Sequence, residues 1–173
     1  MPQQSWITPM SMIGNYCRVN ESLLATICAN PDSISDFLYS DDDQEPNRSR
    51  LDIDKSWHAI HFLLTDSQWE GDYPLVCVVM GGECIGEQDV GYGPARYLTS
   101  QQVKEVATAI EKITASKLLE KFDAERMNQE EIYPHGWRNS QEERDYIGQH
   151  YSSLVKFFKD TADAGDAMIV YLN

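Results

Sequence analysis

At 173 residues and a formal net charge of −14 the chain is the size of one domain, and such a chain can bury roughly 70% of its unfolded surface, enough to be stable without disulfide staples. A surface this acidic repels nucleic acid and anionic membranes, which are gripped through their phosphates, and attracts basic protein surfaces at long range. The opening Met1-Pro2-Gln3-Gln4-Ser5 lacks the basic start and apolar centre of a signal peptide, and the longest aliphatic run, residues 75–80, is too short to span a bilayer, so a cytoplasmic protein is expected.

Taken in order, residues 1–10 are expected to be disordered or extended. Residues 11–19 alternate as a strand does, and Asn20 then reads as the cap of a short helix with Leu23, Leu24, Ile27 and Cys28 on its apolar stripe. Pro31-Asp32-Ser33 opens a second small helix carrying Ile34, Phe37 and Leu38. Residues 40–50 are polar throughout and read as an exposed loop. Asp41, Asp43, Glu45 and Asp52 fall at positions 1, 3, 5 and 12 of a calcium loop, but Pro46 stands where the sixth position needs glycine, so calcium is rejected.

Residues 51–65 form the stretch around which the rest is organised. Trp57, Ile60, His61 and Leu64 recur at helical spacing, which predicts a buried helix with Asp54 as its cap and Asp52 assisting. Asp54, His58 and His61 also share one face at i, i+4 and i+7, the residue set of a two-histidine, one-carboxylate metal site. Against that reading, a capping carboxylate is already engaged with backbone donors, and a histidine between Trp57 and Phe62 is in most cases a core residue donating to a carbonyl. Cys17, Cys28, Cys77 and Cys84 have no C-x-x-C spacing and read as small hydrophobes, and a zinc site joining Cys77 and Cys84 to the two histidines has none of the usual ligand spacings.

Residues 66–74 read as a turn-rich connection exposing Trp69. Residues 75–80 fit a buried strand or a short core helix, since so brief an apolar run has no usable period. The glycine-rich segment 81–94 would need a lysine and a helix N-terminus behind it to cradle phosphate, and Glu83, Glu87 and Asp89 would repel such a ligand; a mobile acidic loop bearing Tyr92 is expected instead. A short strand at Arg96-Tyr97-Leu98 leads to a capping box, Thr99 and Gln102, and a helix marked by Val103, Val106, Ala107, Ile110 and Ile113. A helix through Leu118, Leu119 and Phe122 to about Met127 follows. An irregular loop at 128–137 then sets Trp137 either at an interface or over the core edge. A long helix from Ser140 to about Asp163 and a strand from Ala167 to Leu172, apolar on both faces and hence central, close the chain.

The blocks Met12-Ile13-Gly14-Asn15-Tyr16, 51–65, 91–99 and Glu131-Ile132-Tyr133-Pro134 come in an order that resembles the YfbM-like family of small bacterial proteins, and they cover most of the chain. The resemblance implies a bacterial cytoplasmic protein with one α+β domain over residues 11–173. The family is best known as a domain of unknown function and supplies no catalytic residues to carry over. The fold expected is a mixed sheet, with an N-terminal strand and a central C-terminal strand, packed by several helices.

No catalytic motif is recognisable among the four histidines and four cysteines, and G-x-S-x-G is absent. The acidic clusters explain more of what is unusual. Asp41, Asp42, Asp43, Glu45, Glu83, Glu87 and Asp89, with Trp69, Tyr92 and Trp137, are the residues expected to grip a basic protein by steering and aromatic anchoring. That describes an immunity protein, which blocks the basic active-site cleft of a cognate antibacterial toxin and needs no cofactor. The alternative is a small metal- or ligand-binding enzyme built on Asp54, His58 and His61.

Overall fold

The computed structural model describes residues 11–40 and 49–173. The expectation for residues 1–10 and the partner-binding role given to Asp41, Asp42, Asp43 and Glu45 lie outside the described residues.

Five strands form one sheet: β1 (Gly14–Val19), β2 (Arg50–Asp52), β3 (Glu83–Asp89), β4 (Pro94–Leu98) and β5 (Ala167–Leu172), in the order β2-β1-β5-β4-β3. Every pairing is antiparallel, which refines the expected mixed sheet. β5 sits at the centre because both its faces are apolar: Ala167, Ile169 and Tyr171 enter one core, and Met168 and Val170 the other.

The smaller core lies under α1 (Glu21–Ala29), a 3-10 turn (Pro31–Ser33) and α2 (Ile34–Tyr39). The larger core lies under α3 (Trp57–Thr65), α4 (Cys77–Met80), α5 (Ser100–Glu111), α6 (Ala115–Leu119), α7 (Ala124–Gln129) and α8 (Gln141–Asp163). Trp57, Tyr16, Tyr151 and Phe158 are among its largest fully buried side chains. Tyr16 donates to the Val78 carbonyl at 2.7 Å and Tyr151 to the Ile113 carbonyl at 2.8 Å, so both phenols enter the core with their polar ends satisfied. None of the helices among the described residues is long and apolar enough to cross a membrane.

Local signals place several element starts. Asn20 accepts from the Leu23 N–H at 2.7 Å, and Thr99 with Gln102 forms the capping box of α5. Residues 75–80 resolve to the short core helix α4.

Elsewhere the structure corrects the sequence reading. Asp54 does not cap α3: it lies in a 3-10 turn (Asp54–Ser56) at φ 49°, and its carboxylate accepts from the Tyr146 hydroxyl of α8 at 2.8 Å. Residues 83–89 form the edge strand β3 in place of a mobile loop, and Arg50–Asp52 form a short strand where the expected loop meets the 51–65 stretch, so Asp52 lies in the sheet. The helix expected through Phe122 is two helices, because Asp123 turns its carboxylate to the Arg126 N–H and begins α7 afresh.

Candidate interaction surface

α3 places a row of rings at one edge of the larger core. Trp57 is buried, and its indole donates to the Met12 carbonyl at 3.0 Å. His58 stacks on Trp57 (centroids 4.9 Å apart, planes 12°), and Trp69 stacks on His58 (4.5 Å, 28°) while lying tilted beside Trp57 (6.3 Å, 36°). Tyr133 stacks on Trp57 (5.5 Å, 23°), and its hydroxyl accepts from the Met12 N–H.

His58 holds this arrangement together. Its Nδ1 accepts from the Tyr133 N–H and its Nε2–H donates to the Gln68 carbonyl, each at 2.9 Å, so one neutral tautomer joins loop 66–76 to loop 130–137. Burial lowers its pKa, the bond to Gln68 opposes the shift, and the neighbouring His135 adds to it. With both nitrogens committed, His58 is a staple between loops. His61, one turn on, is fully buried: Nε2 lies 3.3 Å from the Thr65 hydroxyl, and Nδ1 has no hydrogen-bond partner. The Glu70 carbonyl is within electrostatic reach of the ring but off hydrogen-bond geometry, and burial pushes the pKa down to about 4. Asp54 faces Tyr146, and among the described residues no three His, Cys, Asp or Glu side chains gather as a metal-holding group, so the Asp54, His58, His61 set is not assembled.

On the opposite face, α1 and α2 are fastened to β3. Gly86 turns at φ +63° against Pro31, Tyr39 donates to the Val90 carbonyl, and Ile27, Ile34 and Leu38 pack with Ile85 and Val90. This layer brings together carboxylates from α1, the 3-10 turn, α2 and β3. Glu21 accepts from the Ser100 N–H at 2.7 Å, and the Ser100 side chain and backbone together lower its pKa. Glu83 accepts from the Tyr97 hydroxyl at 2.8 Å, while Asp32, Asp36 and Glu87 are exposed. Asp89 accepts from the N–H groups of Gly91 and Gly93, at 2.8 and 3.1 Å, and so shapes the turn that carries Tyr92. Arg50 is bound to the Leu38 carbonyl, and Arg96 pairs across the ladder with Val170 of the larger core, which puts it on the other face.

The residues expected to bind a partner therefore divide. Glu83, Glu87, Asp89 and Tyr92 lie along β3 and its turn, and Trp69 is exposed on the aromatic row. Trp137 does not belong with them. It is buried, its indole donates to the Ile132 carbonyl at 2.8 Å, and it meets Phe122 edge to face. Glu21, Asp32, Asp36 and Tyr39 were missed, although a signal existed: Lys and Arg are absent between Arg18 and Arg48 and between Lys55 and Arg96, while these segments hold seven and six acidic residues.

The family model described as a domain of unknown function, DUF1877, matches residues 10–171. The chain belongs to this family. DUF1877 relatives include Protein YfbM of Escherichia coli (strain K12), 28% identical over 133 residues, which are 72% of this chain and 74% of that protein. The crystal structure of YfbM from Escherichia coli, titled as a protein of unknown function, superposes with a TM-score of 0.67 over 93% of this chain and 99% of that one. At 23% identity that likeness speaks for the DUF1877 fold alone.

Proposed function

We propose that the protein is a non-enzymatic inhibitor of the immunity type, a cytoplasmic binder that neutralises a cognate antibacterial toxin by seating acidic and aromatic surface in its basic active-site cleft. The observation that carries this reading is the segregation of charge. Glu21, Asp32, Asp36 and Glu83 share the α1–α2–β3 face, with Glu87 and Asp89 farther along β3, and Arg50, which reaches this layer, is held by the Leu38 carbonyl and the Tyr171 hydroxyl. Carboxylates fixed on a rigid sheet add their fields, and a charge-matched cleft gains from them chiefly in encounter rate and in orientation.

The reading is tested by recovering the tagged protein at low salt and identifying by mass any partner present in stoichiometric amount. A single basic, toxic protein supports it, and recovery of the protein alone counts against it. With that partner in hand, the triple variant Asp32→Lys, Asp36→Lys, Glu87→Lys should associate about tenfold or more slowly at low salt and show a shallower salt dependence. An unchanged rate and salt slope would remove the electrostatic mechanism.

A further inference from the structure

Trp69 is 54% exposed, yet its ring is fixed. The indole stacks on His58 and lies tilted beside Trp57, 6.3 Å away, so it is braced by two rings anchored in the core while the half of its surface they leave uncovered meets solvent. The two loops beside it, 66–76 and 130–137, contain no Lys or Arg. They carry Asp66, Glu70, Asp72, Glu130 and Glu131, of which Asp66 is taken by Arg126 at 2.6 Å and the other four are exposed. Gln68 donates to the Glu130 carbonyl at 2.7 Å, which keeps the two loops side by side.

We propose that the outer face of Trp69 seats an arginine side chain of the partner protein, its guanidinium flat on the indole and bonded at its edge to carboxylates of these loops. This rests on the reading of the protein as a binder of a basic partner. An apolar side chain could cover the ring but would strip water from carboxylates it cannot satisfy. A guanidinium is planar and weakly hydrated, and it matches both the electron-rich ring face and the carboxylates. Among the described residues arginine makes the same contact with Phe rings, with Arg126 4.9 Å over Phe62 and Arg144 4.5 Å over Phe122. Indole is the strongest of the aromatic seats for a cation.

The probe is a blocked tripeptide of glycine, arginine and glycine, compared with its citrulline counterpart, which keeps the shape and loses the charge. Binding is followed by NMR at the Trp69 indole N–H, at about 0.15 M salt to suppress diffuse attraction to the acidic surface. The arginine peptide should shift that resonance saturably, with citrulline about five- to tenfold weaker. Followed at the Glu70 amide, Trp69→Leu should lose affinity by a similar factor and Trp69→Phe, which keeps a ring on His58, by less. Equal affinity for the two peptides, or for wild type and Trp69→Leu, overturns the assignment. So does a shift confined to the α1–α2–β3 face. A partner that co-purifies equally well with Trp69→Leu and dissociates no faster would overturn this seat while leaving the inhibitor reading intact.

Discussion

His58 shows how one side chain can set the position of two loops. Replacing it with alanine leaves the half-buried Tyr133 N–H and Gln68 carbonyl without their partner and empties the space of a buried ring, and an unsatisfied backbone group costs up to about 1–3 kcal/mol. His58→Ala should therefore lower the unfolding free energy by about 2–5 kcal/mol in urea denaturation, and it should release Trp69, visible as a change in tryptophan fluorescence. His61 governs a different property. Its folded pKa of about 4 lies below the value near 6.5 of the free side chain, so the unfolded chain binds the proton more readily. The stability this neutral histidine contributes is whole above about pH 6.5 and is lost as pH falls toward 4, at roughly 1.4 kcal/mol per pH unit. His58 shifts in the same direction and reinforces the slope. In His61→Leu the acid limb of stability against pH should be shallower than in wild type, and an identical limb would assign it to other groups.

At the scale of elements, two glycines carry opposite expectations. Gly86 holds φ +63°, and a Cβ there would lie 2.8 Å from that of Pro31, so Gly86→Ala strains β3 and pushes the α1–α2 layer away. A loss of about 1–3 kcal/mol is expected, measured as a lower denaturation midpoint. Gly148 sits inside α8, where a Cβ would meet the Leu119 terminal methyl at 3.1 Å, and Leu119 is half-exposed and free to turn aside. Gly148→Ala should then stabilise by about 0.5–1 kcal/mol and raise Tm, since the gain in helix propensity exceeds the cost of moving one methyl. Elements declared by adjacent residues were legible in the sequence: Asn20, the Thr99–Gln102 box and the apolar run of β5 each point to their own structure. β3 was not, because an exposed edge strand with an irregular register shows neither a period of two nor a continuous apolar run. The cap at Asp123 was present in the sequence and was hidden by the apolar residues on either side of it.

For the whole molecule, the family and the α+β fold were legible, while the candidate surface was legible only in part. The acid clusters could be counted, but the layer that joins Asp32 and Asp36 to Glu87 depends on Gly86 meeting Pro31 across fifty-odd residues of chain. The sequence leaves Trp137 between an interface and the core edge, and offers it as a partner contact, because its donor contact with Ile132 and its ring contact with Phe122 are invisible in composition. The same clustering makes a prediction for the free protein. Unrelieved repulsion on the α1–α2–β3 face should be screened by salt, so raising NaCl from about 0.01 to 0.15 M should raise Tm. The triple Lys variant of Asp32, Asp36 and Glu87 should gain less, and equal gains would place the repulsion elsewhere.

β5 joins β1 on one side to β4 on the other, and without it the sheet is a β1–β2 pair and a separate β3–β4 hairpin. Of these five strands, ribosomal synthesis makes β5 last. Until its residues leave the exit tunnel, a nascent chain has the inner edges of β1 and β4 open, each a template for the strands of a neighbouring molecule. A message cut short before the codon for Ala167 would therefore direct synthesis of a polypeptide disposed to polymerise, whatever the rest of its sequence had already folded.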